Sequence, residues 1–182
     1  MSQLQFTLLQ SALVWEDKEA NRRHFSQLIQ EHAQPGEIVV LPETFSTGFS
    51  MHTEGLAEPM SGPTLEWMQS MARDFRIILT GSFFVQAEDR HFNRLVWMQP
   101  DGQFGYYDKR HLFSYAEEDK QFSSGEKKLI TQVKGWKIRT IICYDLRFPV
   151  WCRQEASNPY DILLVVANWP MAREHAWKTL IQ

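Results

Sequence analysis

The sequence is poor in the features that mark secreted, membrane and nucleic-acid-binding proteins. Its 182 residues include only two cysteines, Cys143 and Cys152, which are too few for a disulfide framework, so a reducing cytoplasm is the expected compartment. No apolar run is long enough to span a bilayer, and the first residues lack the basic start and apolar stretch of a signal peptide. The net charge is −3 without any basic run, so we expect neither a membrane nor a nucleic acid as a partner.

Motifs for metals and phosphates are missing as well. The 6 histidines are scattered, no HExxH string occurs, and the two cysteines lack zinc-site spacing. None of the 9 glycines belongs to a phosphate-binding loop. We therefore expect no metal and no cofactor.

The residues that are present favour one soluble α/β domain over residues 1–182. Hydrophobic residues make up 43% and charged residues 23%, which is typical of a globular protein with a sizeable core. Apolar strand-like runs alternate with helical patterns, and hairpin signals lie between them, which favours a sheet of mixed direction. The predicted strands are 5–10, 37–43, 76–86, 91–99, 103–109, 129–133, 136–145 and 161–169, and the predicted helices are 17–33, 64–75 and the start of one over 173–182.

Local patterns add detail to this prediction. Phe25, Leu28, Ile29 and His32 recur at helical spacing and are expected to form one buried stripe. The continuous apolar run in 37–43 suits a strand that is buried on both faces. The three runs from 76 to 109 are separated by turn signals and should be antiparallel, and the runs on either side of Lys134-Gly135 should form a further pair.

Three reactive side chains lie at the ends of predicted strands. Glu43 closes one strand, Lys109 closes another, and Cys143 lies near the end of a third. Because ligands of open α/β sheets bind at the carboxyl ends of strands, these residues are candidates for a nucleophilic site in which the lysine lowers the thiol pKa. The alternatives are an inert core cysteine, a turn or cap glutamate and a solvated lysine. Cys152 has no paired spacing and is interpreted as structural.

Three strings carry a more specific resemblance. LPETFSTGF (41–49), YYDKRHLF (106–113) and ICYDLRFP (142–149) resemble, in this order, the three signature blocks of the nitrilase superfamily of carbon–nitrogen hydrolases. Within it, the chain is most similar to the omega-amidase branch. The resemblance implies a four-layer α-β-β-α sandwich, usually dimerised through its helical faces, with a Glu-Lys-Cys triad in a pocket at the strand ends.

The resemblance also implies a role for each matching residue. Glu43 would be the general base, Lys109 the oxyanion stabiliser and Cys143 the nucleophile that forms a thioester. The backbone N–H of Tyr144 would be a second oxyanion donor. An assisting glutamate is also expected, and its spacing to Gly125 favours Glu118 over the neighbouring Glu117.

The implied substrate is a small amide, namely a short dicarboxylate monoamide such as 2-oxoglutaramate or 2-oxosuccinamate. Its free carboxylate requires a cation, for which a guanidinium fork has a suitable geometry. Arg147 is the first candidate and Arg173 the second, and an ion pair between Arg147 and Asp145 or a dimer contact is the alternative for Arg147. Phe113 and Trp169 are expected to wall the pocket, although aromatic residues often belong to the core.

Members of the superfamily normally continue for several strands beyond the position where this sequence stops. The fold is therefore expected to lack its C-terminal part, and the exposed sheet suggests a homodimer with inter-chain completion of the fold. Three alternatives stay open: an amidase for another small amide such as deaminated glutathione, a Cys-His hydrolase using His111, and a catalytically inactive assembly module. A nitrilase is disfavoured because Tyr144-Asp145 follows the cysteine in place of Trp-Glu.

Overall fold

The computed structural model describes residues 3–182 and consists of two β-sheets with helices packed against them. The strands are β1 Phe6–Leu8, β2 Ile38–Val40, β3 Ile78–Ala87, β4 Arg90–Met98, β5 Phe104–Asp108, β6 Leu129–Val133, β7 Trp136–Ile142 and β8 Ile162–Val166. The helices are α1 Lys18–His32, α2 Pro63–Phe75, α3 Glu118–Gln121, α4 Pro149–Cys152 and α5 Glu174–Leu180. The α/β class predicted from the sequence is confirmed.

The larger sheet has the order β1-β2-β3-β4-β5 and the smaller has the order β6-β7-β8. The strands β1, β2 and β3 are parallel, whereas β3, β4 and β5 form antiparallel hairpins. In the smaller sheet β6 and β7 are antiparallel, and β7 and β8 are parallel. Both the hairpins and the mixed strand direction agree with the prediction from turn signals.

Alternate residues of the central strands enter two separate cores. Val39 faces a core that includes Phe25 of α1 and Met68 of α2, while its neighbours Ile38 and Val40 face the second sheet. The second core lies between the sheets and includes Leu95 and Trp97 of β4 with Ile138 and Ile142 of β7. Every residue of β2 is buried, as its continuous apolar run predicts.

Several predicted details differ from the structure. His32 lies outside the buried stripe of α1, because its side chain is 57% exposed beside Glu31 at the last turn, where a polar ring remains solvated. The strand predicted over 37–43 ends at Val40, because Pro42 cannot donate a ladder hydrogen bond and the chain turns across the end of β3. The short helices α3 and α4 were not predicted, since four residues are too few to show a helical period.

Candidate active site

Glu43 reaches the site on a segment that leaves the sheet directly after β2. Leu41 N–H donates to the Thr80 carbonyl over 2.7 Å, which holds this segment across β3. The crossing requires a glycine in β3, because a Cβ on Gly81 would lie 2.7 Å from the Leu41 Cβ. Glu43 is therefore delivered fully buried, at a fixed position between the two sheets.

Lys109 follows the last residue of β5 and is buried with Glu43. Its Nζ donates to Glu43 Oε1 over 2.8 Å and to Glu118 Oε1 and Oε2 over 3.0 and 2.9 Å. Its backbone is fixed on both sides, since its N–H donates to the Asn93 carbonyl and its carbonyl accepts from Gly125 N–H. The ammonium thus contacts three carboxylate oxygens, one from Glu43 and two from Glu118.

Glu118 and Glu117 lie at the start of α3 and have different environments. Glu118 is fully buried, and its Oε2 accepts from the Phe113 backbone N–H over 2.6 Å as well as from Lys109. Glu117 adopts a left-handed conformation with φ of 61° and pairs with Lys120 at the surface. The structure therefore brings Glu118, and not Glu117, into the cluster with Glu43 and Lys109.

Cys143 lies at the junction between β7 and a five-residue 3₁₀ turn, Cys143–Arg147. Its φ of 47° is in the left-handed region, which a residue with a side chain adopts only when its surroundings enforce it. The thiol is close enough to the Glu43 carboxylate to hydrogen-bond with it, and the residue is 8% exposed, toward a pocket. The strained turn thus presents the sulfur to both Glu43 and the pocket.

Asp145 holds this turn against the strand that carries Lys109. Its carboxylate accepts from Tyr107 Oη over 2.6 Å, from the His111 backbone N–H over 2.8 Å and from the Ile142 N–H over 3.1 Å. His111 Nδ1 also lies 2.8 Å from this carboxylate. Since Tyr107 and His111 lie two residues on either side of Lys109, Asp145 links the lysine segment to the cysteine turn.

Burial and charge together determine the protonation states of the cluster. Burial first, and then the Glu43 carboxylate, raise the pKa of the Cys143 thiol, and Lys109 opposes them only in part. Lys109 thus lowers the pKa of the thiol, as expected, but burial and Glu43 outweigh it and the net shift is upward. Burial disfavours the Lys109 ammonium, but Glu43 and Glu118 outweigh it and raise the pKa of Lys109. Burial also raises the pKa of Glu118, against the opposing effect of Lys109.

A pocket of about 360 Å³ opens over Cys143, and five of its twelve lining residues are aromatic. The lining includes every substrate-binding candidate found in the sequence, namely Phe113, Arg147, Trp169 and Arg173, together with Lys109, Tyr144, Phe49 and Asn168. Glu43 and Glu118 lie beneath it, fully buried. The structure thus brings all the predicted site residues to one place.

Arg147 and Arg173 stack on the aromatic walls of this pocket. The Arg173 guanidinium lies 4.3 Å from the Tyr115 ring centre and 5.0 Å from that of Phe113, and the Arg147 guanidinium lies 5.7 Å from the Trp169 ring centre. Within residues 3–182 neither guanidinium has an ion-pair partner. The predicted alternative, an ion pair between Arg147 and Asp145, is not formed, because Asp145 turns inward to Tyr107 and His111.

Two contributors were missed by the sequence interpretation. Asn93 is buried in β4, and its Nδ2 donates to Glu43 Oε1 over 3.0 Å and to Glu118 Oε1 over 3.3 Å. The backbone N–H of Asn168, just past β8, donates to Glu43 Oε2 over 2.9 Å. The sequence offered no clear signal for Asn93, because β4 also contains the polar residues Arg90, His91 and Arg94. A backbone donor such as the Asn168 N–H cannot be recognised from sequence, because every residue except proline has a backbone N–H.

Other groups take no part in this site. The Cys152 thiol donates to the Asp145 carbonyl over 3.1 Å, and burial raises its pKa. His111 stacks on Phe148 with ring centres 3.7 Å apart, is bound to Asp145 through Nδ1, and does not line the pocket above Cys143. Across residues 3–182 there is no group of three histidine, cysteine or acidic side chains arranged for a metal. Over the same range, no helix has the length and apolar character needed to cross a membrane.

Comparison with known proteins identifies the same family as the signature strings. The family model for carbon–nitrogen hydrolases matches residues 3–182. The chain is 42% identical to the omega-amidase YafV of Yersinia enterocolitica, over 100% of this chain and 69% of that protein. It is 29% identical to the 2-oxoglutaramate amidase of Bacillus subtilis, over 84% of this chain and 60% of that protein.

A solved structure agrees with this assignment. A CN-hydrolase superfamily protein from Xanthomonas campestris, crystallised with an arsenic adduct in its active site, superposes with a TM-score of 0.92 at 42% identity. The match covers 99% of this chain and 70% of that one. The expected sandwich fold is therefore confirmed, and the chain belongs to the carbon–nitrogen hydrolase family.

Proposed function

We propose that this protein is an omega-amidase that hydrolyses the terminal amide of short dicarboxylate monoamides, such as 2-oxoglutaramate and 2-oxosuccinamate, to the acid and ammonia. The observation that carries the proposal is a buried Glu43-Lys109-Cys143 cluster beneath a pocket whose wall has two arginines without acidic partners. The names of the relatives from Yersinia enterocolitica and Bacillus subtilis support the same reaction class.

Acylation begins from a neutral thiol, because burial and Glu43 raise the pKa of Cys143. Glu43 accepts the thiol proton while the sulfur attacks the amide carbon. The resulting oxyanion is stabilised by Lys109 and by the backbone N–H of Tyr144. The protonated Glu43 then donates its proton to the leaving nitrogen, the carbon–nitrogen bond breaks, ammonia departs and a thioester remains.

Lys109 changes partners during this step. In the resting site its ammonium contacts one carboxylate oxygen of Glu43 and both of Glu118. When Glu43 becomes protonated, its oxygen is a weaker acceptor, and one N–H of Lys109 becomes available to the oxyanion. Proton transfer to Glu43 and stabilisation of the oxyanion are thereby coupled, while Glu118 retains the ammonium in place.

Deacylation uses the same groups in reverse order. Water replaces ammonia, Glu43 accepts one of its protons, and the hydroxide attacks the thioester carbon. The second tetrahedral intermediate collapses with cleavage of the carbon–sulfur bond. Glu43 then returns the proton to the Cys143 sulfur, and the free acid leaves. No cofactor takes part in this scheme.

The pocket wall accounts for the dicarboxylate preference. A guanidinium without an acidic partner in an aromatic pocket is free to bind a substrate carboxylate through two hydrogen bonds. Arg147 lies four residues after the nucleophile and is the first candidate for this contact, with Arg173 opposite it. Phe113 and Trp169 would enclose the short carbon chain of the substrate.

The proposal extends to assembly and location. The two cysteines are free thiols, which suits a cytoplasmic protein. In the described part of the chain β8 pairs with β7 alone, so one of its edges is unpaired, and its first four residues are only half-buried. We propose that the protein forms a homodimer in which a second copy covers this strand.

Ammonia release from 2-oxoglutaramate by the 182-residue chain tests the function directly. The proposal predicts turnover that is lost in Cys143→Ala, retained in the matched thiol variant Cys152→Ala, and much weaker with glutamine. A folded protein that hydrolyses deaminated glutathione but not the oxo-amide would support the alternative amidase. A folded protein that hydrolyses neither substrate would point to the inactive assembly module.

A further inference from the structure

Asn93 contacts both carboxylates of the catalytic cluster and the backbone of Lys109, and it does not line the pocket. Its Nδ2 lies 3.0 Å from Glu43 Oε1 and 3.3 Å from Glu118 Oε1, and its backbone carbonyl accepts the Lys109 N–H over 3.0 Å. The side chain is 1% exposed and does not line the pocket above Cys143. Any effect of Asn93 on turnover therefore passes through the groups that perform the chemistry.

The orientation of the Asn93 amide is fixed by charge. With Nδ2 between the two carboxylates it donates to both, whereas a rotated amide would place its oxygen against two anionic oxygens. Its Oδ1 is buried and has no hydrogen-bond partner within residues 3–182. A buried amide with an unsatisfied oxygen costs stability, so the donation to Glu43 and Glu118 is the interaction that accounts for this residue.

The charges around Asn93 explain why a neutral donor suits this position. Glu43 and Glu118 face it together with the Lys109 ammonium, and the raised pKa of Cys143 leaves the thiol neutral. The neighbouring charged pair, Arg94 and Asp108, is satisfied internally through two hydrogen bonds of 2.6 and 2.8 Å. A second cation beside Glu43 would weaken it as a base, whereas an apolar residue would leave two carboxylates to share one lysine.

We infer that Asn93 is a positioning residue that holds the Glu43 and Glu118 carboxylates ionised and correctly oriented for proton transfer from Cys143. The inference rests on the proposed amidase function. Hydrogen bonds donated to a carboxylate favour its ionised form, so loss of Asn93 makes the Glu118 carboxylate easier to protonate. It also removes one of the donors that orient the Glu43 carboxylate. Because Asn93 does not line the pocket, substrate binding is unaffected.

Two substitutions test this role through the pH dependence of turnover. In Asn93→Ala the acidic limb of the kcat profile should move up by about one pH unit, with KM changed by less than about twofold. Asn93→Asp has nearly the same shape but loses both donors and adds a carboxyl group, so its limb should move at least as far. Thr80→Val is the matched control, because it removes a buried hydroxyl that also lacks a partner, and its profile should not move.

A second measurement does not depend on turnover. Carbon-13 NMR of glutamate-labelled protein, with Glu118→Gln used for assignment, should show the Glu118 carboxyl titrating at higher pH in Asn93→Ala than in the unsubstituted chain. If the unsubstituted chain releases no ammonia although this shift occurs, the proposed function fails while the role of Asn93 stands. Unmoved carboxyl titration and an unmoved kcat limb, in variants that remain folded, would overturn the inference.

Discussion

At the scale of single residues, the neutral thiol of Cys143 decides how the site works. Burial and Glu43 hold its pKa high, so the attacking sulfur becomes anionic only while Glu43 removes its proton. A neutral thiol reacts slowly with electrophiles in solution, in contrast to cysteines with lowered pKa values. Among the charged neighbours of the thiol, Glu43 affects its pKa more than Lys109 does.

Glu43→Gln should therefore separate thiol ionisation from catalysis. Removing the carboxylate charge leaves Lys109 as the main charged neighbour, so the pKa of Cys143 should fall. Alkylation by iodoacetamide at pH 7 should accelerate by about tenfold for each unit of decrease, while amide turnover is lost. The measurement is the alkylation rate in a Cys152→Ala background, with Glu117→Gln as the surface control. Slower alkylation of Cys143 in Glu43→Gln would contradict this electrostatic account.

The two pocket arginines make a separate prediction about specificity. Arg147→Ala should raise KM for 2-oxoglutaramate by about ten- to a hundredfold, because a charge-assisted pair with the substrate carboxylate is lost. The KM for a neutral amide of similar length should hardly change. Arg153→Ala, which removes an exposed guanidinium outside the pocket, is the matched control. Equal effects on both substrates would remove Arg147 from the carboxylate role and leave Arg173 as the candidate.

The sequence predicts the residues that lie in recognisable strings, but not the properties that depend on burial or on partners distant in sequence. Glu43, Lys109 and Cys143 were found because each lies in its own recognisable string, and Glu118 was found through its spacing to Gly125. The lowering effect of Lys109 on the thiol pKa was predicted, but the larger opposing effect of burial was not, because no string reveals how deeply a residue is buried. The alternative interpretation of Arg147 as an ion-pair partner of Asp145 could not be decided from sequence for a similar reason, since the partners of Asp145 are Tyr107 and His111.

At the scale of elements, each reactive group follows the point where regular structure stops. Lys109 comes directly after β5, Cys143 directly after β7, and Glu43 three residues after β2 ends at Val40. The end of a strand is held rigidly by the sheet. The irregular residues beyond it allow the side chain to point along the gap between the sheets. The strands were predictable from apolar runs, but the turns that aim these residues depend on contacts distant in sequence.

The irregular segment after α3 contains one such contact, which can be tested by substitution. Gly125 N–H donates to the Lys109 carbonyl, and a Cβ on Gly125 would lie 2.2 Å from the Asp108 carbonyl oxygen. Gly125→Ala should therefore displace the end of β5, destabilise the fold by about 2 kcal/mol or more and reduce kcat sharply. Gly105→Ala is the control within β5, because its Cβ would meet only the movable end of the Leu129 side chain. Urea unfolding and turnover, measured together, check this expectation. Equal stability of the two variants would contradict it.

At the scale of the whole molecule, the two sheets enclose one shared core and leave one apolar strand incompletely covered. Ile162, Leu164 and Val166 of β8 pack into the core between the sheets. Leu163 and Val165 alternate with them, point to the opposite face and are only half-buried. This face and the unpaired edge of β8 are the features of the described chain that favour association with a second copy.

Self-association should therefore depend on the outer face of β8. Sedimentation velocity at micromolar concentration should show a dimer for the unsubstituted chain and a shift toward monomer for Leu163→Lys combined with Val165→Lys, because two buried charges oppose an apolar interface. Gln132→Lys is the matched control, since Gln132 is exposed on β6, at the other edge of the same sheet. Circular dichroism should confirm that all variants remain folded. A monomeric unsubstituted chain would contradict the proposed dimer. A dimer unaffected by both lysines would place the interface elsewhere, with the helical layer of α1 and α2 as the next surface to substitute.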